Sequence, residues 1–180
     1  MQTEYVFYTK NKRLVYKKDA IHDIEAYPDA AYADCTYTMK STIGWFCKKS
    51  GAALAWAVNR SSVVALSTTE AEYEALKEAV KEVLFEVQWF ESLPEAWYKK
   101  KTVKVFEDNE GAINLTVNAV VNKRTKHFNV RWHFVRDVQQ KGIVLYVHIK
   151  TADHPGDMMT KSLPFEKVSK FRPMMGVTEV

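Results

Sequence analysis

Apolar and polar positions follow a strand-like rhythm over the first third of the chain and a helical one after it. IEAYPDAAYAD (24–34) reads as a strand, although it carries Pro28. STIGWFCKKSGAALAWAV (41–58) contains two apolar runs, WFC and ALAWAV, turned at Lys49-Ser50-Gly51, which predicts a hairpin. The period then changes. Ser67-Thr68-Thr69-Glu70 has the form of a capping box, with Ser67 capping and Glu70 returning the bond. It opens a long helix that runs to about Leu93 and stops at Pro94. KTVKVFED (101–108) is rich in β-formers, GAINLTVNAV after it is helix-like, and residues 125–140 form a second amphipathic helix closed by Gly142. IVLYVHI (143–149) is a further strand, and the last stretch, with GDMMTK and EKVSKF, is helical. Strands paired first as a hairpin and then alternating with helices predict an α/β domain with a mixed sheet. Residues 1–20 are basic and short of apolar period. They read as a first-strand lead-in or the tail of a preceding region, with residues 21–180 as the domain proper.

A chain of 180 residues suits one domain, and an apolar content of 47% with 13% aromatics describes a folded globule rather than a disordered segment. The net charge of +4 points only weakly to a polyanionic partner. Five histidines and two cysteines, Cys35 and Cys47, show no CxxC, HExxH or zinc spacing, so both thiols are expected reduced, as in an intracellular protein. The start MQTEYVFYTKNKR has no apolar h-region, and no run approaches about 18 apolar residues. A soluble chain without signal peptide or membrane association is the expectation.

Four acids depart from the solvated pattern around them. Most glutamates of the long helix fall on its surface, but positions 72, 76, 79, 83, 87 and 90 form one stripe, and after Glu72 it is Leu, Ala, Val, Val and Phe. Glu72 either heads the sheet-facing stripe or sits on an exposed first turn favoured by the helix dipole. Asp108 follows Val103, Val105 and Phe106 and precedes a helix; it is either a ligand at a strand's carboxyl end or an N-cap. Asp29 lies in a strand-like run with the small Ala30 and Ala31 behind it, and Asp157 opens a helical segment. Acids so placed, with no fixed cationic partner beside them, imply a metal ion as the missing charge. Hard carboxylate oxygens select magnesium or manganese.

The segment Asn122 to Lys141 carries Lys123, Arg124, Lys126, Arg131, Arg136 and Lys141 against the single acid Asp137. Phe128, Trp132 and Val135 fall on one face and Arg124, His127 and Arg131 on another. The basic face is either solvated or in contact with phosphates. His154, three residues before Asp157, reads as a surface histidine with an auxiliary proton-transfer role as the alternative.

The strings VVALSTTEAEYEALKEAVKEVLF, VFEDNEGAINL, NKRTKHFNVRWHFVRD and GDMMTKSLP, in this order, resemble the ribonuclease H domain of copia-type LTR retrotransposon Gag-Pol polyproteins, over about Leu14 to Gly176. The resemblance implies a ribonuclease H-like fold, with a central mixed five-stranded sheet and helices on both faces. It implies hydrolysis of the RNA strand of RNA–DNA hybrids by two magnesium ions, or manganese, held by the catalytic acids Asp29, Glu72, Asp108 and Asp157. Asn109, Arg124, Lys126, His127 and Arg131 would contact nucleic acid, and the reverse transcriptase region of the same polyprotein would be a partner. The implied location is intracellular, in a cytoplasmic virus-like particle or the nucleus. The chain departs from the family pattern at Pro28, Ala31 and Glu110, the last expected to place extra negative charge beside Asp108. A catalytically weak remnant that binds nucleic acid is therefore the alternative reading.

Overall fold

The computed structural model describes residues 9–18, 23–94, 101–117 and 129–179, with the side chains of residues 129–132 outside that description. Five strands form the central sheet: β2 (Glu25–Ala31), β3 (Thr42–Lys49), β4 (Ala52–Arg60), β5 (Val103–Glu107) and β6 (Val144–His148). Their order is β4-β3-β2-β5-β6. The first three pair antiparallel, whereas β5 runs parallel to β2 and β6 parallel to β5, which makes the sheet mixed, as expected. The β3–β4 hairpin turns on Ser50 (φ 55°) and Gly51 (φ 80°). Two successive left-handed residues match the twist of the flanking strands.

Helix α1 (Thr68–Glu91) lies on one face. Its stripe Leu76, Ala79, Val83, Val87 and Phe90 is buried against Ala26, Val103, Val105 and Val144. The capping box closes differently from the expectation. Ser67 Oγ accepts the Glu70 amide at 3.2 Å, but the Glu70 carboxylate takes the Leu66 amide rather than that of Ser67. Helices α2 (Glu110–Val117) and α3 (Asn129–Gln140) complete this layer. Arg136 joins them by donating to the Leu115 and Thr116 carbonyls at 3.0 and 3.3 Å. It is thereby committed to packing rather than offered to a ligand.

On the opposite face Tyr27 stacks between Phe46 and Phe106, each with ring centroids 4.9 Å away. Met159, from the single turn α4 (Asp157–Thr160), packs on the same cluster. Helix α5 (Phe165–Phe171) follows, and the short strand β7 (Val177–Glu179) pairs antiparallel with β1 (Lys12–Leu14) in a separate two-stranded ribbon. Lys12–Leu14 thus closes on the far end of the chain and does not join the central sheet. Among the described residues both cysteines are free thiols, and no helix is long and apolar enough to cross a membrane.

Candidate active site

Strand β2 is central, and its ladder with β3 runs unbroken through Pro28 and Asp29, paired with Trp45 and Gly44. Its parallel ladder with β5 holds only Glu25 and Ala26. Proline brings no amide to a ladder, and here the ladder with β5 stops at Ala26, two residues before Pro28. Side chains from both layers gather past that end.

Asp29 is fully buried. It accepts hydrogen bonds from Thr160 Oγ1 and, at 3.0 Å, from Lys161 Nζ. The same ammonium donates to Asp157 Oδ1 at 2.5 Å. The expectation that these acids lack a fixed cation is therefore wrong for half of them: Lys161 bridges Asp29 and Asp157. Its spacing of four from Asp157 was readable in the sequence, but its contact with Asp29 spans 132 residues. Burial opposes the lysine's charge, yet the Asp157 bond and the Asp29 carboxylate hold its pKa above the ordinary lysine range. Gly44, opposite Asp29, makes this approach feasible, since a Cβ there would lie 2.5 Å from that of Met159.

Glu72 enters from the α1 side and is buried, which selects the stripe over the exposed first turn. Burial, then the charges of Asp29 and Asp108, push its carboxyl up to about 9. Asp108, half-buried, stands just past β5. It is not the cap of α2: Asn109 Oδ1 accepts the Ala112 amide at 3.0 Å and so performs that role. Asn109, expected at the nucleic acid, has this part of its carboxamide already engaged.

Glu107 did not stand out beside the recognisable acid after it, although strand alternation places it with Val103 and Val105 on the buried side of β5. It is 0% exposed. Burial first, and then Glu72, raise its pKa well above the usual carboxylate range. One oxygen accepts the Asn109 amide at 3.0 Å. The other, like Glu72 Oε2, has no hydrogen-bond partner among the described residues. The extra negative charge of this site is thus Glu107. Glu110, expected to supply it, is exposed on the first turn of α2.

His154 also corrects its expectation. It is not a surface residue but fully buried, with Nε2 2.7 Å from the Pro28 carbonyl and its ring 6.3 Å from that of Tyr27. Arg124, Lys126 and His127 lie outside the described residues, as does the side chain of Arg131.

Ligand atoms of Asp29, Asp108 and His154 lie within 4.8 Å of one another, and so do those of Glu72, Glu107 and Asp108. Asp29, Glu72 and Asp108 therefore share one cluster with Glu107 and His154, and Asp157 is tied to it through Lys161. The orphaned buried oxygens of Glu72 and Glu107 fit a divalent cation, and an all-carboxylate donor set suits magnesium or manganese.

No family model matches the chain. It is 34% identical, over 86% of its length, to the retrovirus-related Pol polyprotein from transposon TNT 1-94 of Nicotiana tabacum. It is 32% identical, over 98% of its length, to that from transposon RE1 of Arabidopsis thaliana. The chain spans only 11% and 12% of these relatives. Among solved structures it superposes on LC11-RNase H1, isolated from compost and crystallised with an RNA/DNA hybrid. The TM-score is 0.55, with 17% identity, covering 77% of this chain and 94% of that one. At that identity the likeness establishes fold alone, and it agrees with the mixed five-stranded sheet. Sequence and fold together place the chain in one family: it is a ribonuclease H-like domain of the retrotransposon Pol polyprotein type.

Proposed function

We propose that this domain is a divalent-metal-dependent ribonuclease H that hydrolyses the RNA strand of RNA–DNA hybrids. The observation that carries the reading is the clustering of Asp29, Glu72 and Asp108 past the end of the β2–β5 ladder, with Asp157 tied in through Lys161. These four residues would hold two magnesium ions, with manganese able to replace them. Bound there, such ions supply a polarised water and charge compensation at the scissile phosphate and leaving oxygen.

The remaining work falls to the chain itself. Asp29, anchored by Thr160 and flanked by Gly44, is held rigidly between the two layers. His154 fixes the Pro28 carbonyl and so sets the path of the strand that carries Asp29. Lys161 neutralises Asp29 and Asp157 in the cation-free site and releases them as cations bind. Arg124, Lys126, His127 and Arg131 would meet phosphates, so that the hybrid is recognised by backbone shape and 2′-hydroxyls rather than base edges. Because the chain spans about an eighth of its relatives, a reverse transcriptase region of the same polyprotein is the partner proposed to deliver the hybrid.

The test is cleavage of an end-labelled RNA–DNA hybrid by the parent protein in magnesium and manganese, beside Asp108→Asn and Glu72→Gln. Both variants should lose at least about a hundredfold in rate. Parent-like cleavage by both would sink the assignment. Salt-sensitive hybrid binding without any cleavage by the parent would identify the domain as a binding remnant instead.

A further inference from the structure

Strand alternation gives Glu107 a position made for an apolar residue. Val103 and Val105, four and two residues earlier, fill the same side of β5 in the α1 core. A carboxylate there is costly unless a positive charge meets it. The nearest cation of the site, Lys161, is bonded instead to Asp29 and Asp157. Facing Glu107 are Glu72 and Asp108, both acids, with Asp29 behind them. The cluster is therefore asymmetric: an ammonium is bonded to one half, and it reaches the other only through its field on Glu72. In that second half two buried carboxylate oxygens, Glu107 Oε2 and Glu72 Oε2, have no hydrogen-bond partner among the described residues. Backbone geometry keeps Glu107 aimed there, because its other oxygen is held by the Asn109 amide at 3.0 Å.

We propose that Glu107 is a fifth carboxylate ligand of the site and binds a divalent cation together with Glu72 and Asp108. The proposal rests on the metal-dependent reading above and extends it. The three ligand atoms lie within 4.8 Å of one another. An octahedral magnesium or manganese ion with bonds of about 2.1 Å spans ligands up to about 4.2 Å apart, so small side-chain rotations close the set. Three carboxylates on one ion raise its affinity by more than offsetting its double positive charge. This chain should accordingly bind its first ion tightly.

Manganese binding to the purified domain, followed by the electron paramagnetic resonance of free Mn(II), tests the proposal. Terbium luminescence lifetimes in light and heavy water count the waters left on the bound ion. Glu107→Gln should weaken manganese binding by about tenfold to a hundredfold and add about one bound water. Glu107→Asp keeps the charge but withdraws the oxygens, and should show the same two changes in smaller measure. Glu110→Gln, on the exposed turn nearby, should bind within about twofold of the parent. Circular dichroism confirms that each variant is folded. Unchanged affinity and water count in both Glu107 variants would overturn the proposal, as would a drop in Glu110→Gln equal to that in Glu107→Gln. If Asp108→Asn abolishes cleavage while Glu107→Gln binds manganese like the parent, only this inference fails. If the parent binds no manganese, the inference and the metal-dependent function fail together.

Discussion

Replacing Lys161 by methionine removes the ammonium that bridges two buried carboxylates and leaves Asp157 only the more distant Lys167, at 3.9 Å. Asp29 is 0% and Asp157 2% exposed, and Lys161 approaches them at 3.0 and 2.5 Å. Removing one partner of a fully buried ion pair destabilises by about 3–5 kcal/mol. The Lys161 side chain is 36% exposed, however, so water reaches one end of the bridge and part of the loss is screened. A loss of about 2–3 kcal/mol is therefore expected in EDTA at pH 7, which for a domain of this size lowers Tm by about 5–10 °C. Magnesium should reverse the effect, because it can neutralise the oxygens that the lysine has left. A cation at a hundred times its Kd stabilises by about 2.7 kcal/mol, enough to restore most of the deficit. In the parent the ion has to displace the ammonium first, so its stabilisation should be smaller. Thermal unfolding of both proteins by circular dichroism, in EDTA and across a magnesium series, reads all four values. A Lys161→Met protein as stable as the parent in EDTA, or equal gains from magnesium in the two, would refute the reasoning.

Two further outcomes follow from residues around the site. Burial, and then the Glu82 charge, push the Glu86 carboxyl up to about 8 from an ordinary 4.5. An acid raised in this way contributes stability that is fully present below about 4.5 and is lost as pH climbs towards 8. Glu86→Gln should therefore match the parent near the lower pH and exceed it by about 1–3 kcal/mol near the upper one, at about 1.4 kcal/mol per pH unit less relaxation; parallel urea profiles across that range would contradict this. Gly44→Ala drives a methyl group against Met159 and Thr160. It should lower stability by about 1–3 kcal/mol and weaken manganese binding by displacing the turn that carries Asp157, and an unchanged denaturation midpoint and affinity would contradict the close packing.

Period and alternation made the scaffold readable. The stripe from Glu72 to Phe90 is a local property of one helix and is buried as predicted, but the buried face is broader and also takes in Glu74 and Glu86, which the period places on the surface. The hairpin turn announced itself through Ser50 and Gly51 for the same reason. Contacts across the chain were not readable in this way. Lys161 meets Asp29 only because α4 packs across Gly44, and His154 is buried only because β2 passes beneath it. Neither partner is local, so spacing alone left one acid pair without its cation and the histidine on the surface. Glu107 is a different case. The alternation Val103, Val105, Glu107 marks it as inward-facing, but an inward acid is informative only once the charges opposite it are known, and these come from α1. The basic face of Arg124, His127 and Arg131 lies outside the described side chains.

The ladder between β2 and β5 ends early, at Ala26. The two faces of the sheet carry separate cores, one beneath α1 and one around Tyr27. Past the end of the ladder, Glu72 from α1 feels the charge of Asp29, and Asp29 shares Lys161 with Asp157 of α4. An ion captured there would tie α4, a single turn of helix, to α1. Assembly of the site and cohesion of the fold are then read from one binding event.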